Sequence, residues 1–368
     1  MIGFFKEMRD SNKVVQTKFD ILFYAENAYY FQYFRHLFEV FTDMPEVTVG
    51  YITSDRNDPV LSIKREGLQT FYLHKTLVFV FSNLQAKVVL LTMPDLQNFA
   101  YKRSAGVGKY VYIFHALVSI HQQYRQHAFN HYDAFFCCGP HHLQELEKLE
   151  EISSLSSKDK IAYGYPLLEE LKHKVPPQDE KGIQKILIAP SWYEQGILNT
   201  CLLPLLNVLL SRNWLLYVRP HPEYIKRNKK EATCLLNLAN QHDSLAIDFS
   251  PKVYTHLVDA DVLITDRSGI ALEYAFACNR PVVFLNTPPK INNPAFESFS
   301  IIPVENSIRT QIGIEVETSG IKDILKVLDS LETSEWKNQI TEIESSVIFD
   351  STHWINGVNY IKKALGKL

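Results

Sequence analysis

The sequence lacks the patterns that mark membrane-spanning, secreted and nucleic-acid-binding proteins. No run approaches the roughly 20 apolar residues that cross a bilayer, and the longest candidate, Thr76 to Phe81, is soon interrupted by polar residues. The stretch from Met1 to Lys18 has mixed charge and no apolar core, so no signal peptide is predicted. The formal net charge of −3 gives no electrostatic reason to expect nucleic-acid binding. Any membrane contact is therefore expected to be peripheral.

Cysteine is scarce, and its spacing excludes the common metal-binding motifs. None of the five cysteines forms a C-x-x-C pair, and most lie in apolar runs such as Phe135 to Cys138. The odd number and the apolar settings favour reduced, buried thiols in a cytoplasmic protein, with a strained Cys137–Cys138 disulfide as the alternative. The histidines from His121 to His142 match no closed zinc pattern and have no clustered carboxylates. Neither a metal nor a cofactor is expected.

The length of the chain predicts two domains. Its 368 residues exceed the roughly 250–300 that one hydrophobic core serves, and the share of apolar residues, 46%, is that of a globular protein. A stretch with two prolines, a glycine and alternating charges indicates a linker near the middle. The expected division is a first domain at 1–172, a linker at 173–184, a second domain at 185–350 and a C-terminal helix at 351–368. Such a helix can pack back on the first domain.

Short apolar runs bounded by polar loops predict parallel strands that are buried on both faces. The predicted strands are 20–24, 47–52, 87–93, 109–114, 133–138 and 160–164, then 185–189, 214–218, 244–248, 261–265 and 281–285. The predicted helices are 29–41, 141–150, 198–211, 223–241, 268–278 and 353–365. This alternation predicts an α/β fold with two doubly wound Rossmann-type domains that face each other across a cleft. A ligand is expected at the carboxyl ends of the strands.

The segment from Tyr217 to Pro222 (YVRPHP) places a cation and an imidazole directly after a predicted strand. The arginine fork of Arg219 can hold two phosphate oxygens, and His221 can donate to a third. Prolines on both sides of His221 restrict the backbone. A phosphate site is one interpretation, and a strand-ending turn with incidental polar residues is the other.

The segment from Asp261 to Ala275 (DVLITDRSGIALEYA) carries a second polar turn after a strand. Ser268 and Gly269 open a predicted helix, whose free backbone N–H groups and partial positive charge favour a diphosphate. Gly269 has no Cβ, so a ligand can come close. Glu273 lies about one turn into the helix, within reach of ribose hydroxyls. The alternative is a plain serine cap on a structural helix.

The segment Phe114-His115-Ala116 follows the predicted strand at 109–114. A neutral imidazole at the carboxyl end of a strand can take a proton from an acceptor hydroxyl at neutral pH. A histidine in this place is also often structural, and the residues alone leave both interpretations open.

Five segments in this order resemble the CDP-glycerol glycerophosphotransferases, which build teichoic-acid and capsule-type poly(alditol phosphate) chains of the cell envelope. The matching segments are the strand that ends in His115, Tyr163 to Pro166, Ile188 to Trp192, Arg219 to Pro222, and Thr265 to Gly269 with Glu273. The resemblance implies a GT-B fold. It also implies transfer of an alditol phosphate from a CDP-linked donor to a hydroxyl of a glycan or lipid-linked polymer, with release of CMP, at the inner face of the cell membrane.

The resemblance also implies roles for individual residues. His115 matches the general base, and Arg219 and His221 match the residues that hold the diphosphate and stabilise the leaving nucleotide. Ser268 matches a phosphate contact and Glu273 a ribose contact. The remaining donor-side residues implied are Ser191, Asp266, Arg267 and Gly269.

Two departures leave the donor open. The family's Trp-His-Gly is Phe-His-Ala here, and its Thr-Asp-Tyr-Ser-Ser is Thr-Asp-Arg-Ser-Gly, in which Arg267 adds a cation. One alternative is a GT-B glycosyltransferase, or a UDP-sugar 2-epimerase-like enzyme, that uses a nucleotide sugar. Against the epimerase, the first half shows no clear set of acids for proton abstraction. The other alternative is a catalytically silent GT-B-like binding subunit.

Overall fold

The computed structural model describes residues 2–177, 182–249 and 254–367. Within these residues, two separate groups of strands form two sheets. The first sheet contains β1 Phe19–Ala25, β2 Val49–Thr53, β3 Leu68–Tyr72, β4 Ala86–Leu91, β5 Val107–Ile113, β6 Ala134–Cys137 and β7 Asp159–Ala162. The second contains β8 Lys185–Ile188, β9 Leu215–Val218, β10 Leu245–Ile247, β11 Val262–Thr265, β12 Val282–Asn286 and β13 Gly313–Glu317.

Helices alternate with these strands along the chain. In the first half they are α1 Ile2–Gln16, α2 Phe31–Thr42, α3 Leu77–Asn83, α4 Ile120–Gln123, α5 Pro140–Ile152 and α6 Pro166–Lys172. In the second half they are α7 Ile197–Thr200, α8 Leu202–Leu209, α9 Pro222–Arg227, α10 Lys229–Ala239, α11 Thr255–Asp259, α12 Ile270–Cys278, α13 Val304–Ser307, α14 Arg309–Ile312, α15 Ile324–Asp329, α16 Thr333–Val347 and α17 Trp354–Ala364. Short 3₁₀ helices lie at Ala28–Tyr30, Pro59–Ser62, Phe296–Phe299, Thr318–Asp323 and Ser351–His353.

The first sheet has the order β3-β2-β1-β4-β5-β6-β7, and its pairings are parallel. In the register, Phe23 of β1 pairs with Tyr51 of β2 on one side and with Leu90 of β4 on the other. All of β2 and β6 is buried, because apolar side chains cover both faces of the sheet. The strand order reverses between β1 and β4, and the carboxyl ends there form the expected ligand edge.

The second sheet has the order β10-β9-β8-β11-β12-β13 and is also parallel in its pairings. Leu187 of β8 pairs with Tyr217 of β9 and Leu263 of β11, so the order reverses between β8 and β11. This is the strand order of a dinucleotide-binding Rossmann fold. The two sheets confirm the predicted α/β class with doubly wound parallel units.

The chain forms two compact units. Unit 1 contains residues 1–167, 292–301 and 348–368, and unit 2 contains 168–291 and 302–347. The segment 292–301 therefore groups with unit 1, although the sequence boundaries placed it in the second domain. Of the predicted linker, residues 178–181 lie outside the described residues.

The C-terminal helix α17 packs within unit 1. Tyr360 donates a hydrogen bond to Asp159 at 2.7 Å, and Asn356 donates to the carbonyl of Ala162 at 2.9 Å. Gly357 lies so close to the ring of Tyr163 that a Cβ would come within 2.8 Å of it. Both strand-edge bonds are made to β7, so α17 covers one margin of the first sheet.

Candidate active site residues in the two units

Asp266 organises the carboxyl edge of the second sheet. It follows β11 directly and is fully buried. Its Oδ1 accepts the backbone N–H groups of Ser191 at 2.8 Å and Arg267 at 2.7 Å, and its Oδ2 accepts that of Ile197 at 3.1 Å. Both oxygens are therefore occupied, and a carboxylate would repel phosphate. The structure places Asp266 as a positioning residue that ties the loop after β8 to the turn before α12.

Ser191 carries an unused polar group at this edge. It is 4% exposed and lies in the loop after β8. Its backbone N–H bonds to Asp266, but its Oγ is buried without a hydrogen-bond partner in the structure. A buried hydroxyl without a partner costs about 1–3 kcal/mol, so the site favours a ligand that can bond to it.

The turn at Ser268 and Gly269 opens α12 without a side-chain cap. Gly269 is the N-cap residue, and no side chain accepts a hydrogen bond from the first turn as a cap. The alternative of a plain serine cap is therefore not observed. Gly269 has φ −62° and ψ −19°, which any residue adopts, so its distinguishing property is only the absence of a side chain. Glu273, in the first turn, is 8% exposed and accepts a 3.4 Å hydrogen bond from Tyr254.

Two arginines, Arg267 and Arg309, lie around this turn, and only one of them forms a described ion pair with a carboxylate. Arg267 donates to the carbonyl of Thr287 through Nε at 3.0 Å and Nη2 at 2.8 Å, and this oxygen is uncharged. Arg309 donates to the carbonyl of Asp266 at 2.8 Å but also forms an ion pair with Glu315 at 2.6 Å. Within the part of the chain that the structure describes, no ion pair joins the Arg267 guanidinium, beside the start of α12, to a carboxylate.

Lys290 adds a half-buried amine to the same region. Burial lowers the pKa of Lys290, and the nearby charge of Asp266 partly opposes that shift. Two residues before Lys290, the carbonyl of Pro288 accepts a hydrogen bond from the Tyr193 hydroxyl at 2.9 Å, which fixes the backbone there. The segment after β12 therefore contributes a cation that the sequence motifs did not indicate.

Arg219 lies at the end of β9 as predicted, but it is already paired. Its Nη1 donates to Oδ2 of Asp248 at 2.6 Å, and the two side chains are 10% and 4% exposed. Asp248 follows β10, the neighbouring strand. His256 lies 4.0 Å from the same carboxylate oxygen and stacks on Tyr217 with ring centroids 4.1 Å apart. Asp248 therefore neutralises and positions the arginine that was predicted to hold a diphosphate.

His221 is exposed and lies just before α9. Its ring is nearly parallel to that of Trp192, at an interplanar angle of 24° and a centroid distance of 6.3 Å. The guanidinium of Arg227 lies 4.9 Å from the same indole ring. Trp192 follows Ser191, so this aromatic face belongs to the same loop as the unpartnered hydroxyl.

His115 lies in unit 1, two residues after β5, among tyrosine rings. The rings within 6.4 Å of its centroid are those of Tyr30, Tyr33, Tyr112 and Tyr124. Its Nδ1 is 3.3 Å from the hydroxyl of Tyr112, and its carbonyl accepts a 3.3 Å hydrogen bond from Tyr165. The tyrosines around this histidine therefore supply both apolar ring surfaces and hydroxyl groups.

Burial keeps the imidazole of His115 neutral. It lowers the pKa of His115 to about 4, although a hydrogen bond to the backbone carbonyl of Thr92 raises it. Burial also raises the pKa of Glu26, which follows β1, and the charge of Glu26 adds to the burial that raises the pKa of Tyr30. Glu26 is an acid of the first unit that the sequence motifs did not indicate.

The structure brings most of the predicted residues to the carboxyl ends of strands. In unit 2, Ser191, Arg267, Ser268 and Asp266 come together, whereas Arg219 is drawn toward Asp248. Asp248 was missed, although it is the last residue of the predicted strand 244–248, just as Arg219 directly follows the predicted strand 214–218. Among the described residues, no group of three or more His, Cys, Asp or Glu side chains is arranged to hold a metal ion. The five cysteines are free thiols, and Cys234 is exposed rather than buried.

Residues 20–288 match the model of the family CDP-glycerol:poly(glycerophosphate) glycerophosphotransferase. The chain belongs to this family. The match spans most of both units and includes the predicted site residues of each. Family membership identifies the chain as a transferase. No curated protein sequence matched it.

Several solved structures have a fold similar to that of this chain. The wall teichoic acid polymerase TagF is 12% identical with a TM-score of 0.60, covering 100% of this chain and 95% of its own. A TagF variant soaked with CDPG is 13% identical with a TM-score of 0.58, covering 100% and 95%. The co-structure of S. aureus MnaA with UDP is 14% identical with a TM-score of 0.59, covering 95% and 98%. At these identities the likeness shows the fold, which is GT-B.

Proposed function

We propose that this glycerophosphotransferase-family protein transfers an alditol phosphate from a CDP-linked donor to an acceptor hydroxyl. In the reaction, the hydroxyl oxygen attacks the β-phosphorus of the donor while its proton passes to His115. The bond from that phosphorus to the bridging oxygen breaks, and CMP leaves with the electron pair. The acceptor is a glycan or a lipid-linked polymer. The family match and the soak of a related polymerase with CDPG support the choice of donor.

The donor's phosphates bind at the start of α12 in this proposal. The helix dipole favours an anion at this end of α12, while the N–H groups of Ala271 and Leu272 already donate to the carbonyls of Ser268 and Gly269. Arg267 brings a cation whose hydrogen-bond partner is a neutral carbonyl, and the Ser191 hydroxyl supplies a donor group. Preorganised donors of this kind stabilise the charge that develops on a leaving nucleotide.

The proton is taken by His115 in this proposal. A base must be neutral at the working pH, and the low pKa of His115 keeps it so. Its 3.3 Å contact with the Tyr112 hydroxyl is long for a hydrogen bond to nitrogen. A weak contact of this kind can be exchanged for one to the acceptor.

The main support for the donor site is the unpartnered hydroxyl of Ser191. We expect its removal to have opposite effects on stability and on donor binding. Ser191→Ala removes a buried polar group without a partner, so the melting temperature should stay the same or rise. Donor affinity should fall several-fold, because a hydrogen bond to phosphate is lost. The measurement is a thermal-shift panel with CDP, UDP, GDP, CMP and CDP-glycerol. At a hundredfold excess over Kd, a ligand stabilises by about 2.7 kcal/mol.

Thr265→Val is the matched control for that panel. The Thr265 hydroxyl donates to the carbonyl of Ala189 at 2.8 Å, so its loss should lower stability and leave donor affinity nearly unchanged. Selective stabilisation by CDP compounds, weakened in Ser191→Ala, would support the proposal. A preference for UDP or GDP would instead indicate a sugar transferase or an epimerase-like enzyme. If no nucleotide shifts the melting temperature, the silent-subunit alternative replaces the proposal.

We also propose that unit 1 contacts a membrane surface through α1 and α3. None of the described helices is long and apolar enough to cross a membrane. However, two packed helices expose large apolar side chains, which we term the apolar surface: Phe4, Phe5, Met8, Val78 and Phe79. Ser11 of α1 donates to Thr76, just before α3, at 2.6 Å, and Lys75 lies 6.0 Å from the ring of Phe4. Exposed aromatic residues with flanking cations are typical of helices that lie in the membrane interface.

Replacing the two exposed phenylalanines should release the protein from vesicles. Phe5 is 68% and Phe79 50% exposed, so Phe5→Ser with Phe79→Ser should leave folding intact. Burying a phenylalanine contributes about 1.5–3 kcal/mol, so each change should weaken vesicle binding tenfold or more. The measurement is flotation with phosphatidylcholine vesicles containing phosphatidylglycerol. Phe99→Ser is the control, since Phe99 is 58% exposed but lies outside this surface. Equal losses in both variants would contradict a role for the apolar surface.

A further inference from the structure

Unit 1 contains a cavity of about 500 Å³ beside helix α1. Its walls come from α1, from the segment that follows β2, and from β3. Four cations line this cavity, which we term the cationic cavity: Lys6, Lys13, Arg56 and Lys64. The whole chain has a formal net charge of −3. The four positive charges in this cavity therefore form a local positive region on a chain whose net charge is negative. Such a cavity focuses a positive potential on an anion.

Two acids also line the cationic cavity, so that four cations face two carboxylates there. Glu7 is 3% exposed, and its Oε1 accepts backbone N–H groups before α3, among them those of His74 at 2.8 Å and Thr76 at 3.0 Å. Asp10 lies 3.4 Å from the guanidinium of Arg9. The balance of charge within the cavity is therefore positive.

The four cations are not paired with carboxylates of the described chain. Lys13 lies 5.5 Å from the ring centroid of Phe71, and Arg56 lies 5.0 Å from that of Tyr72. Aromatic rings hold these cations without neutralising them. Within residues 2–177, 182–249 and 254–367, no carboxylate lies within ion-pair distance of Lys6 or Lys64. Thr70 and Tyr72 also line the cavity, and the Thr70 hydroxyl donates to the carbonyl of Leu61 at 3.3 Å.

An anion with several acceptor oxygens fits this arrangement, and phosphate is the common one. The source of the phosphate follows from helix α1, which carries both Lys6 and Lys13 of the cationic cavity and Phe4, Phe5 and Met8 of the apolar surface. At about 100° per residue, Lys6 and Lys13 lie on the side of α1 opposite Phe4 and Met8. In a helix that lies in the membrane interface, the apolar side enters the acyl boundary and the basic side faces the lipid headgroups.

We propose that the cationic cavity binds the phosphate of an anionic membrane lipid. This inference rests on the membrane contact proposed above and adds to it a site that selects lipids by charge. The apolar surface supplies binding to any bilayer, and the cationic cavity supplies the preference for anionic headgroups. Unit 1 would thereby be held at membranes rich in anionic lipid, where lipid-linked acceptors reside.

The test compares two charge-matched double variants on two kinds of vesicle. Lys13→Gln with Lys64→Gln removes two cavity cations. Lys18→Gln with Lys363→Gln removes two exposed lysines of the same unit that are not among the cavity residues. Each cation near an anionic surface strengthens binding roughly fivefold. The cavity variant should therefore bind phosphatidylglycerol-containing vesicles about 25-fold more weakly, the control variant should change much less, and binding to pure phosphatidylcholine should be equal in all three proteins.

The outcomes separate this inference from the membrane contact itself. Equal loss of anionic preference in both double variants would overturn the cavity site, while binding to phosphatidylcholine would still support the apolar surface. Absence of vesicle binding by the unaltered protein would overturn both. A calorimetric titration with inorganic phosphate and with glycerophosphoglycerol forms a separate arm. Binding there that needs Lys13 and Lys64, without a vesicle preference, would assign the cavity to a soluble phosphate and overturn the lipid source.

Discussion

Replacing His115 with glutamine is expected to lower kcat for alditol-phosphate transfer about 10²–10⁴-fold, the range that a general base contributes. Glutamine keeps a polar group of similar size among the tyrosines but cannot take up a proton. If His115 acts only on the proton, donor binding should be unchanged, because the proposed donor residues lie in unit 2. The measurement is steady-state release of CMP, with the thermal-shift panel repeated on the variant.

The control for this prediction is His74→Gln. His74 belongs to the same unit, but its side chain is exposed, so kcat should stay within twofold of the unaltered protein. Equal transfer rates for the His115 variant and the unaltered protein would remove His115 from the chemistry. A fall in rate that is accompanied by a large fall in melting temperature would instead assign it a structural role.

The pH profile gives an independent view of the same residue. The pKa of His115 is lowered from its ordinary value to about 4 by burial, so the neutral base form dominates at every pH above that value. The rate should therefore stay flat as the pH falls through 6.5 and should decline only near pH 4. An acidic limb centred near 6.5 would contradict the lowered pKa of His115. The limb should be absent from the residual activity of His115→Gln.

The sequence indicated the central strands because their apolar runs are continuous. Strands such as β1 and β6 are buried on both faces, so their apolar residues follow one another without the polar interruptions that are typical of loops. The edge strands β3 and β13 were missed, since polar side chains interrupt them, as in the sequence LQTFY. Helix α1 was missed for a related reason. Its buried face consists of Glu7, Ser11 and Val14, and two polar residues in three leave no apolar stripe to detect.

Site residues could be predicted when their position depended on one strand alone. Contacts between residues of two neighbouring strands could not be predicted. Arg219, Asp266 and His115 each follow an apolar run directly, so local sequence placed them at a sheet edge. The pairing of Arg219 with Asp248 depends on β9 and β10 being neighbours, and sheet order is a tertiary property. The role of Asp266 likewise emerged only when its oxygens were found on backbone N–H groups of the loop after β8.

Arg219 is expected to have two roles that a double variant can separate. Arg219→Met alone removes the guanidinium that forms the 2.6 Å ion pair with the buried carboxylate of Asp248, which is 4% exposed. Breaking a buried pair in this way costs about 3–5 kcal/mol, and for a unit of this size 3 kcal/mol lowers Tm by roughly 6–12 °C. The loss of donor binding in this variant would then be ambiguous, because a partly unfolded site binds nothing.

Combining Arg219→Met with Asp248→Asn removes that ambiguity. Both members of the ion pair are then neutral, so most of the lost stability should return, as it does when buried ion pairs are replaced by neutral groups. If Arg219 also contacts the diphosphate, donor affinity should stay about 10–100-fold weaker in the double variant, since a hydrogen bond to a charged group contributes about 1.5–3 kcal/mol. The measurements are thermal unfolding and calorimetric titration with CDP. Donor affinity that returned together with stability would make Arg219 purely structural and leave Arg267 as the cation of the site.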